Sequence, residues 1–374
     1  MLKDLFLELI KVPSPSGSEK KVAELIQQKL KQLGLASNFD QAGAINGSNT
    51  GNLITTLKGS KNQPTILFVA HIDTVETGDQ LICPIIEGDT IKTDNSTILG
   101  ADNKASVACL IELLSKVKEW EERPTIVAAF TTREEQGQMG VSLLKLSQKI
   151  DYAFNLDGKG EIGGFAYKAL GHLPFELEII GREVHSAHEP ETGINALLVA
   201  SQIIRKLPLG KTKSGNVLNI GKIESGKATN IVPGYAKMQG EIRSFTQKGI
   251  KQQLENVTRI TEKICQKYGA RYKLLTKEKE GAPVFNGQKN SQISNVAKKA
   301  CEKLGLTPNI FAGTFTCEAN FLSQMGYPVL NVCRGGLMPH SKEESIKVSE
   351  LDQLLKLLVS LTEEITQKNP VENS

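Results

Sequence analysis

The chain has 374 residues, of which 39% are apolar, 23% charged and 5% aromatic, and its 45 basic and 41 acidic side chains leave a net charge of +4. That length suits two domains, or one large domain carrying an insertion. The near balance of charge, with lysines scattered through helical segments, excludes the basic stripe of a nucleic-acid-binding protein. No run approaches the roughly 18 apolar residues of a membrane span. The six cysteines, at 83, 109, 265, 301, 317 and 333, form no close pair, so unpaired thiols in a reducing, cytoplasmic setting are expected.

Residues 1–10 interleave Lys3, Asp4 and Glu8 with leucines and read as an amphipathic helix rather than a signal peptide. Residues 20–33 repeat apolar positions at helical spacing and stop at Gly34. Residues 65–70 form a short apolar run after Pro64, the mark of a buried strand, and 125–130 and 152–156 repeat it, with a helix predicted over 105–117 between the first two. Strands alternating with helices predict a mostly parallel sheet covered by helices. From about residue 171 the pattern changes to strand 173–180, helix 195–207 ending at Pro208, strands 217–223 and 236–245, helix 247–268 and strand 271–275. This β-α-β-β-α-β order predicts a small ferredoxin-like α+β unit. The α/β pattern then resumes with helix 291–304, strand 328–332 and a last helix from Ser349. The expected organisation is therefore a discontinuous α/β domain, 1–170 plus 281–374, interrupted by an α+β domain at 171–280. The polar tail 369–374 is expected to fray.

Each apolar strand is followed by metal-ligating residue types. His71-Ile72-Asp73 follows the first, and a strand period of two places His71 and Asp73 on one face, where the carboxylate can accept a ring proton. Glu134-Glu135 follows the second, before Gly137, and Asp157 follows the third. His340 lies beyond the last strand, across a Gly335-Gly336 loop. Asp102, just ahead of a helix, reads by itself as an N-cap, and Asp157-Gly158 as turn chemistry. Their coincidence is more informative, because ligands of open α/β sheets bind at the carboxyl ends of the strands. Two histidines with several carboxylates suit a pair of borderline-soft divalent ions such as zinc.

These blocks, His71-Ile72-Asp73-Thr74-Val75, Gly100-Ala101-Asp102-Asn103-Lys104, Glu134-Glu135-Gln136-Gly137 and His340, occur in the order found in the cocatalytic zinc peptidases and amidohydrolases. The chain resembles that family over almost its whole length, and the peptidase T-like branch in residues 99–104, 225–233 and 338–341. The resemblance implies that His71 and Asp157 hold one zinc ion, Glu135 and His340 a second, and Asp102 bridges them, with Co2+ or Mn2+ as substitutes. It implies that Asp73 supports His71 and that Glu134 is the general base. The inserted domain would act as lid and dimerisation domain of a homodimer. His185, in Gly181-Arg182-Glu183-Val184-His185, would supply an oxyanion donor, in many relatives from the partner subunit. Arg243 would grip a peptide carboxylate through its planar fork, helped by Asn230.

The sequence departs from the family at Asn103, where a second aspartate is common, at Arg133 ahead of the glutamate pair, and at Cys317, which reads as a small buried thiol. Arg334 is left open as a lining residue of the substrate pocket, and His172 and His188 are left without a role. The expected activity is a metal-dependent exopeptidase acting on short peptides, with tripeptide aminopeptidase the leading specificity. An N-acyl amino acid deacylase or carboxypeptidase-type amidohydrolase on the same centre is the alternative, since pocket shape rather than fold selects among them. A catalytically silent binding protein ranks below both, because every expected ligand and Glu134 are present.

Overall fold

The computed structural model describes residues 2–75, 81–212 and 215–366; the tail 369–374 lies outside them. The chain divides into two compact units, Met1–Ala169 with Asn286–Ser374, and Leu170–Phe285.

In the first unit the strands run in the order Ser37–Phe39, Leu53–Leu57, Thr125–Thr131, Thr65–His71, Tyr152–Gly158, Val329–Cys333 and Gly164–Ala169. The four in the middle, from Thr125–Thr131 to Val329–Cys333, are mutually parallel, and their neighbours Leu53–Leu57 and Gly164–Ala169 run against them. Strand Thr65–His71 is buried at every position after its first, because helices cover both faces of a parallel sheet and an unbroken apolar run is what such a strand needs. Phe68 and Phe154 stack across neighbouring strands with ring centroids 5.4 Å apart. Helix Ala101–Lys118 buries residues all round its circumference and packs beneath Leu2–Ile10 and Val348–Thr366, making it the central helix of the unit. Its main chain departs from helical geometry at Asp102 and Asn103, so the regular helix begins at Lys104, one residue before the start that its apolar periodicity predicts. Two elements give no clear signal in sequence: Leu53–Leu57, five residues that include the adjacent pair Thr55-Thr56, and the helix Glu318–Gln324, only seven residues long.

In the second unit the strands are ordered Val217–Ser225, Tyr235–Ser244, Gly171–Ile180, Arg271–Thr276, all antiparallel. Helices Ala196–Lys206 and Gln247–Tyr268 pack on this sheet around Phe175, Leu177, Ile203, Met238 and Val257. Each helix is capped by its own sequence: Asn195 accepts from the Leu198 amide, Thr246 from the Gly249 amide, and the longer helix ends at Gly269 with φ +70°. Among the described residues no helix is long and apolar enough to cross a membrane, and the six cysteines are unpaired.

Candidate metal centre

The parallel strands deliver the sequence-predicted acids and histidines to one edge of the sheet. His71 is the last residue of its strand, Asp157 the next to last of its own, and Glu134 and Glu135 follow Thr131 by three and four residues. The turn after Thr131 is made by Arg133 at φ +52° and Gly137 at φ +100°. It is pinned by Asp73, whose carboxylate accepts from the Glu134 amide at 2.9 Å, the Glu135 amide at 3.1 Å and the Ser16 hydroxyl at 2.6 Å. Asp73 therefore anchors the glutamate pair as well as facing His71. The His71 Nδ1 lies 3.1 Å from the Asp73 carbonyl oxygen and 3.4 Å from Oδ1, so the nearer partner is main chain. Arg133, an unusual neighbour for the pair, turns its guanidinium away, to the Asn46 carbonyl and Gln136.

Asp102 is the hub. Its Oδ1 lies 3.3 Å from His71 Nε2, while its Oδ2 lies 3.2 Å from His340 Nε2 and 2.9 Å from Arg334 Nη2. The N-cap position belongs to Gly100, and the Asp102 carboxylate faces these three groups instead of capping the helix. His71 Nε2 is also 3.7 Å from Asp157 Oδ1, and His340 Nε2 is 2.8 Å from Glu135 Oε1. Two groups thus share Asp102, one of His71 and Asp157, the other of His340 and Glu135. Glu134 stands beside them on the wall of a cavity of about 160 Å³, which Gln138, Lys159, Phe315, Thr316 and Cys317 also line. Gln138 Nε2 donates to Glu134 Oε1 at 3.0 Å.

The charges are crowded and shielded from water. Burial, then the neighbouring Asp157, pushes the Glu134 carboxyl well above the ordinary range. Burial opposes ionisation of Asp102, but Arg334, His340 and His71 together hold it well below that range. His71 is likewise penalised by burial, yet hydrogen bonds to Asp102, Asp157 and Asp73 raise it well above the usual imidazole value. Asp102 and then Glu135 raise His340 to about 10. Glu318, fully buried next to this cluster, is pushed up to about 8, chiefly by burial.

This donor set fits divalent ions. Ligand atoms of His71, Asp102 and Glu135 lie within 4.8 Å of one another, as do those of His71, Glu134 and Asp157. Imidazole nitrogens and carboxylate oxygens are the donors of cocatalytic zinc, cobalt and manganese sites. The acids Asp73, Asp102, Glu134, Glu135 and Asp157 converge on Arg334 and two imidazoles, an excess of negative charge that cations would relieve. Sequence reasoning left Arg334 open, and it lies on Asp102 with 2% exposure. The signal available for it was position, an arginine at the exit of a parallel strand where acids gather. Gln138 gave no signal, since its role depends on a local turn.

The remaining sequence-predicted residues lie in the other unit. His185 is exposed on the short strand Val184–His185, its ring 4.4 Å from that of His188. Asn230 is exposed, with its carbonyl accepting from the Ser186 amide. Arg243 makes a two-pronged pair with Glu241, at 3.1 and 3.0 Å. His172 Nε2 lies 3.0 Å from the same carboxylate, and burial followed by the charge of Arg243 lowers the pKa of this imidazole. The Arg243 fork therefore already has an anionic partner.

Residues 167–272 match the model of the peptidase dimerisation domain, and residues 52–187 that of peptidase family M28. The YqjE protein of Bacillus subtilis is 33% identical, over 97% of this chain and 98% of its own length. A peptidase T of Fusobacterium nucleatum is 26% identical over 96% of both. The aminopeptidase PepT structure from Bacillus cereus superposes with a TM-score of 0.92 at 31% identity, covering 97% of this chain and 98% of its own. A Staphylococcus aureus tripeptidase gives the same TM-score at 26% identity, over 98% of both. With likeness of this extent in both sequence and fold, the chain belongs to the M20 peptidase/amidohydrolase family and is a hydrolytic peptidase.

Proposed function

We propose that this peptidase is a dinuclear zinc aminopeptidase of short peptides, with tripeptides as its leading substrates, acting as a cytoplasmic homodimer. The observation that carries the dinuclear reading is the Asp102 carboxylate, whose two oxygens face different histidines, each with a further acid beside it. His71 and Asp157 would hold one ion, His340 and Glu135 the other, with Asp102 shared. Ions bound there would polarise the scissile carbonyl and make water acidic near neutral pH.

The protein's own groups do the rest. Glu134 accepts a proton from the attacking water and returns one to the leaving amine. Asp73 fixes Glu134 through its main-chain amide, and Gln138 holds its Oε1. Arg334 keeps Asp102 ionised and oriented. The tripeptide preference is supported by full-length likeness to peptidase T and tripeptidase relatives. The dimer is supported by the match to the dimerisation domain, in which His185 is offered as oxyanion donor. Arg243, with Asn230, would capture a substrate carboxylate in competition with Glu241.

The test is product analysis of the metal-loaded enzyme on a tripeptide, its N-blocked form and an N-acetyl amino acid. Release of the amino-terminal residue from the free tripeptide alone is expected. Cleavage of the blocked tripeptide at its carboxyl end would make the enzyme a carboxypeptidase, and turnover of the acetyl compound alone a deacylase.

A further inference from the structure

The helix that carries Asp102 has no cap of its own. The first amides of an α-helix lack intrahelical partners, and Gly100, at the N-cap with φ +74°, has no side chain to offer them. An acceptor for the Asp102 amide, and for two amides ahead of the helix, comes from 242–245 residues away along the chain: Glu344 Oε2 accepts from the Leu99 amide at 3.0 Å and the Gly100 amide at 2.7 Å, and Oε1 from the Asp102 amide at 2.8 Å. Glu344 is only 2% exposed, so these bonds are shielded from competition with water. They hold a stretch of main chain that is not helical, with Asp102 at φ −80°, ψ 99° and Asn103 at φ −123°, ψ 27°.

We infer that Glu344 is a positioning residue of the metal centre: by gripping the main chain at residues 99–102 it sets the Asp102 carboxylate between the two histidines. The loop that follows strand Val329–Cys333 supplies both ends of the grip. Arg334 and His340 reach the Asp102 side chain at 2.9 and 3.2 Å, while Glu344 reaches its main chain. Paired Leu337 and Ser345 main-chain bonds of 2.8 and 3.1 Å close the loop between them. One loop therefore fixes both where Asp102 sits and which way its oxygens point. A carboxylate suits this task because all of its lone pairs accept. A glutamine, whichever way its amide turns, would aim an N–H at either the Asp102 amide or the Leu99 and Gly100 pair.

The inference rests on Asp102 being the shared ligand of two ions, and its test separates the two ideas. Metal-free wild type, Glu344→Gln, Glu344→Asp and the core variant Leu351→Ala are titrated with Co2+ against a chelating dye, with the visible spectrum recorded and melting followed in the metal-free state. The expected result is two ions in the wild type. Glu344→Gln should weaken binding about 10–100-fold, as loss of a ligand-orienting partner does, with an altered cobalt spectrum. Leu351→Ala should lose melting temperature but keep wild-type affinity and spectrum. Should the glutamine variant fail to fold, Glu344→Asp, which is one methylene too short to reach all three amides, carries the same comparison. Two ions bound with unchanged affinity and spectrum in the folded Glu344 variant would overturn the positioning role alone. So would an equal loss of affinity in Leu351→Ala at matched stability. A wild type that takes up no ion would overturn the dinuclear reading, and this inference with it.

Discussion

Glu134 and Glu135 are consecutive residues with different surroundings, and that difference predicts different losses. Both line the cavity, but Glu135 lies on His340 whereas Glu134 takes a hydrogen bond from Gln138. Glu134→Gln keeps the size and hydrogen-bonding capacity of the side chain but removes the base. Its kcat should fall by about 10²–10⁴-fold, while zinc content by atomic emission stays at the wild-type level. Loss of metal in parallel with activity would make Glu134 a ligand instead. Arg334 makes a separate case. Its guanidinium is buried against Asp102, and removing one partner of a buried ion pair costs about 3–5 kcal/mol. Arg334→Met should therefore lower the denaturant midpoint of the metal-free protein, and a midpoint within error of wild type would show that the imidazoles alone neutralise Asp102. His71, Glu134, Glu135 and Asp157 were legible in sequence because apolar strands lead into them, and Asp102 and His340 only through their coincidence with these four. Arg334 was legible only as a residue near a pocket, since its partner Asp102 comes from another part of the chain.

At the scale of elements, periodicity located the long segments well and their neighbours poorly. Strands such as Thr65–His71 and helices such as Gln247–Tyr268 carry five or more apolar positions in register with one period. In Leu53–Leu57 buried Leu53, Thr55 and Leu57 alternate with half-buried Ile54 and Thr56, and so short a run, with a threonine on each face, does not separate from a loop. The main chain that leads into helix Ala101–Lys118 carries no local capping motif, because the acceptor for its Leu99, Gly100 and Asp102 amides, Glu344, lies in a distant loop. Close packing between strands is equally hidden in a sequence. Gly240 pairs directly with Phe175 across the sheet, and a Cβ there would come within 2.6 Å of the Phe175 ring and 2.5 Å of the Asn219 carbonyl oxygen. Gly240→Ala should thus destabilise the Leu170–Phe285 unit by about 1–3 kcal/mol. Faster amide exchange in strands Gly171–Ile180 and Tyr235–Ser244 would report it, and unchanged exchange would mean that both the Phe175 ring and the main chain at Asn219 give way at no cost.

At the scale of the whole molecule, the discontinuous unit holds every proposed metal ligand, and the inserted unit has its own core around Phe175 and Val257. This division makes metal removal a test of cooperativity. An ion that binds only the folded state stabilises it by RT ln(1 + [L]/Kd), about 2.7 kcal/mol at a hundredfold excess over Kd. That amounts to about a hundredfold change in the population of open states for each ion. Chelation should therefore abolish hydrolysis and speed exchange in strands Thr65–His71, Thr125–Thr131 and Tyr152–Gly158, whose ends or following turns carry His71, Glu134, Glu135 and Asp157. Strand Tyr235–Ser244, with no ligand on it, should exchange as before. If protection fell equally in both units, they would be a single cooperative block, and the stabilisation from the ions would pass through the chain connections near residues 170 and 285. Hydrolysis that survived chelation would be more damaging, because the acids and histidines at the sheet edge would then need a purpose other than holding metal.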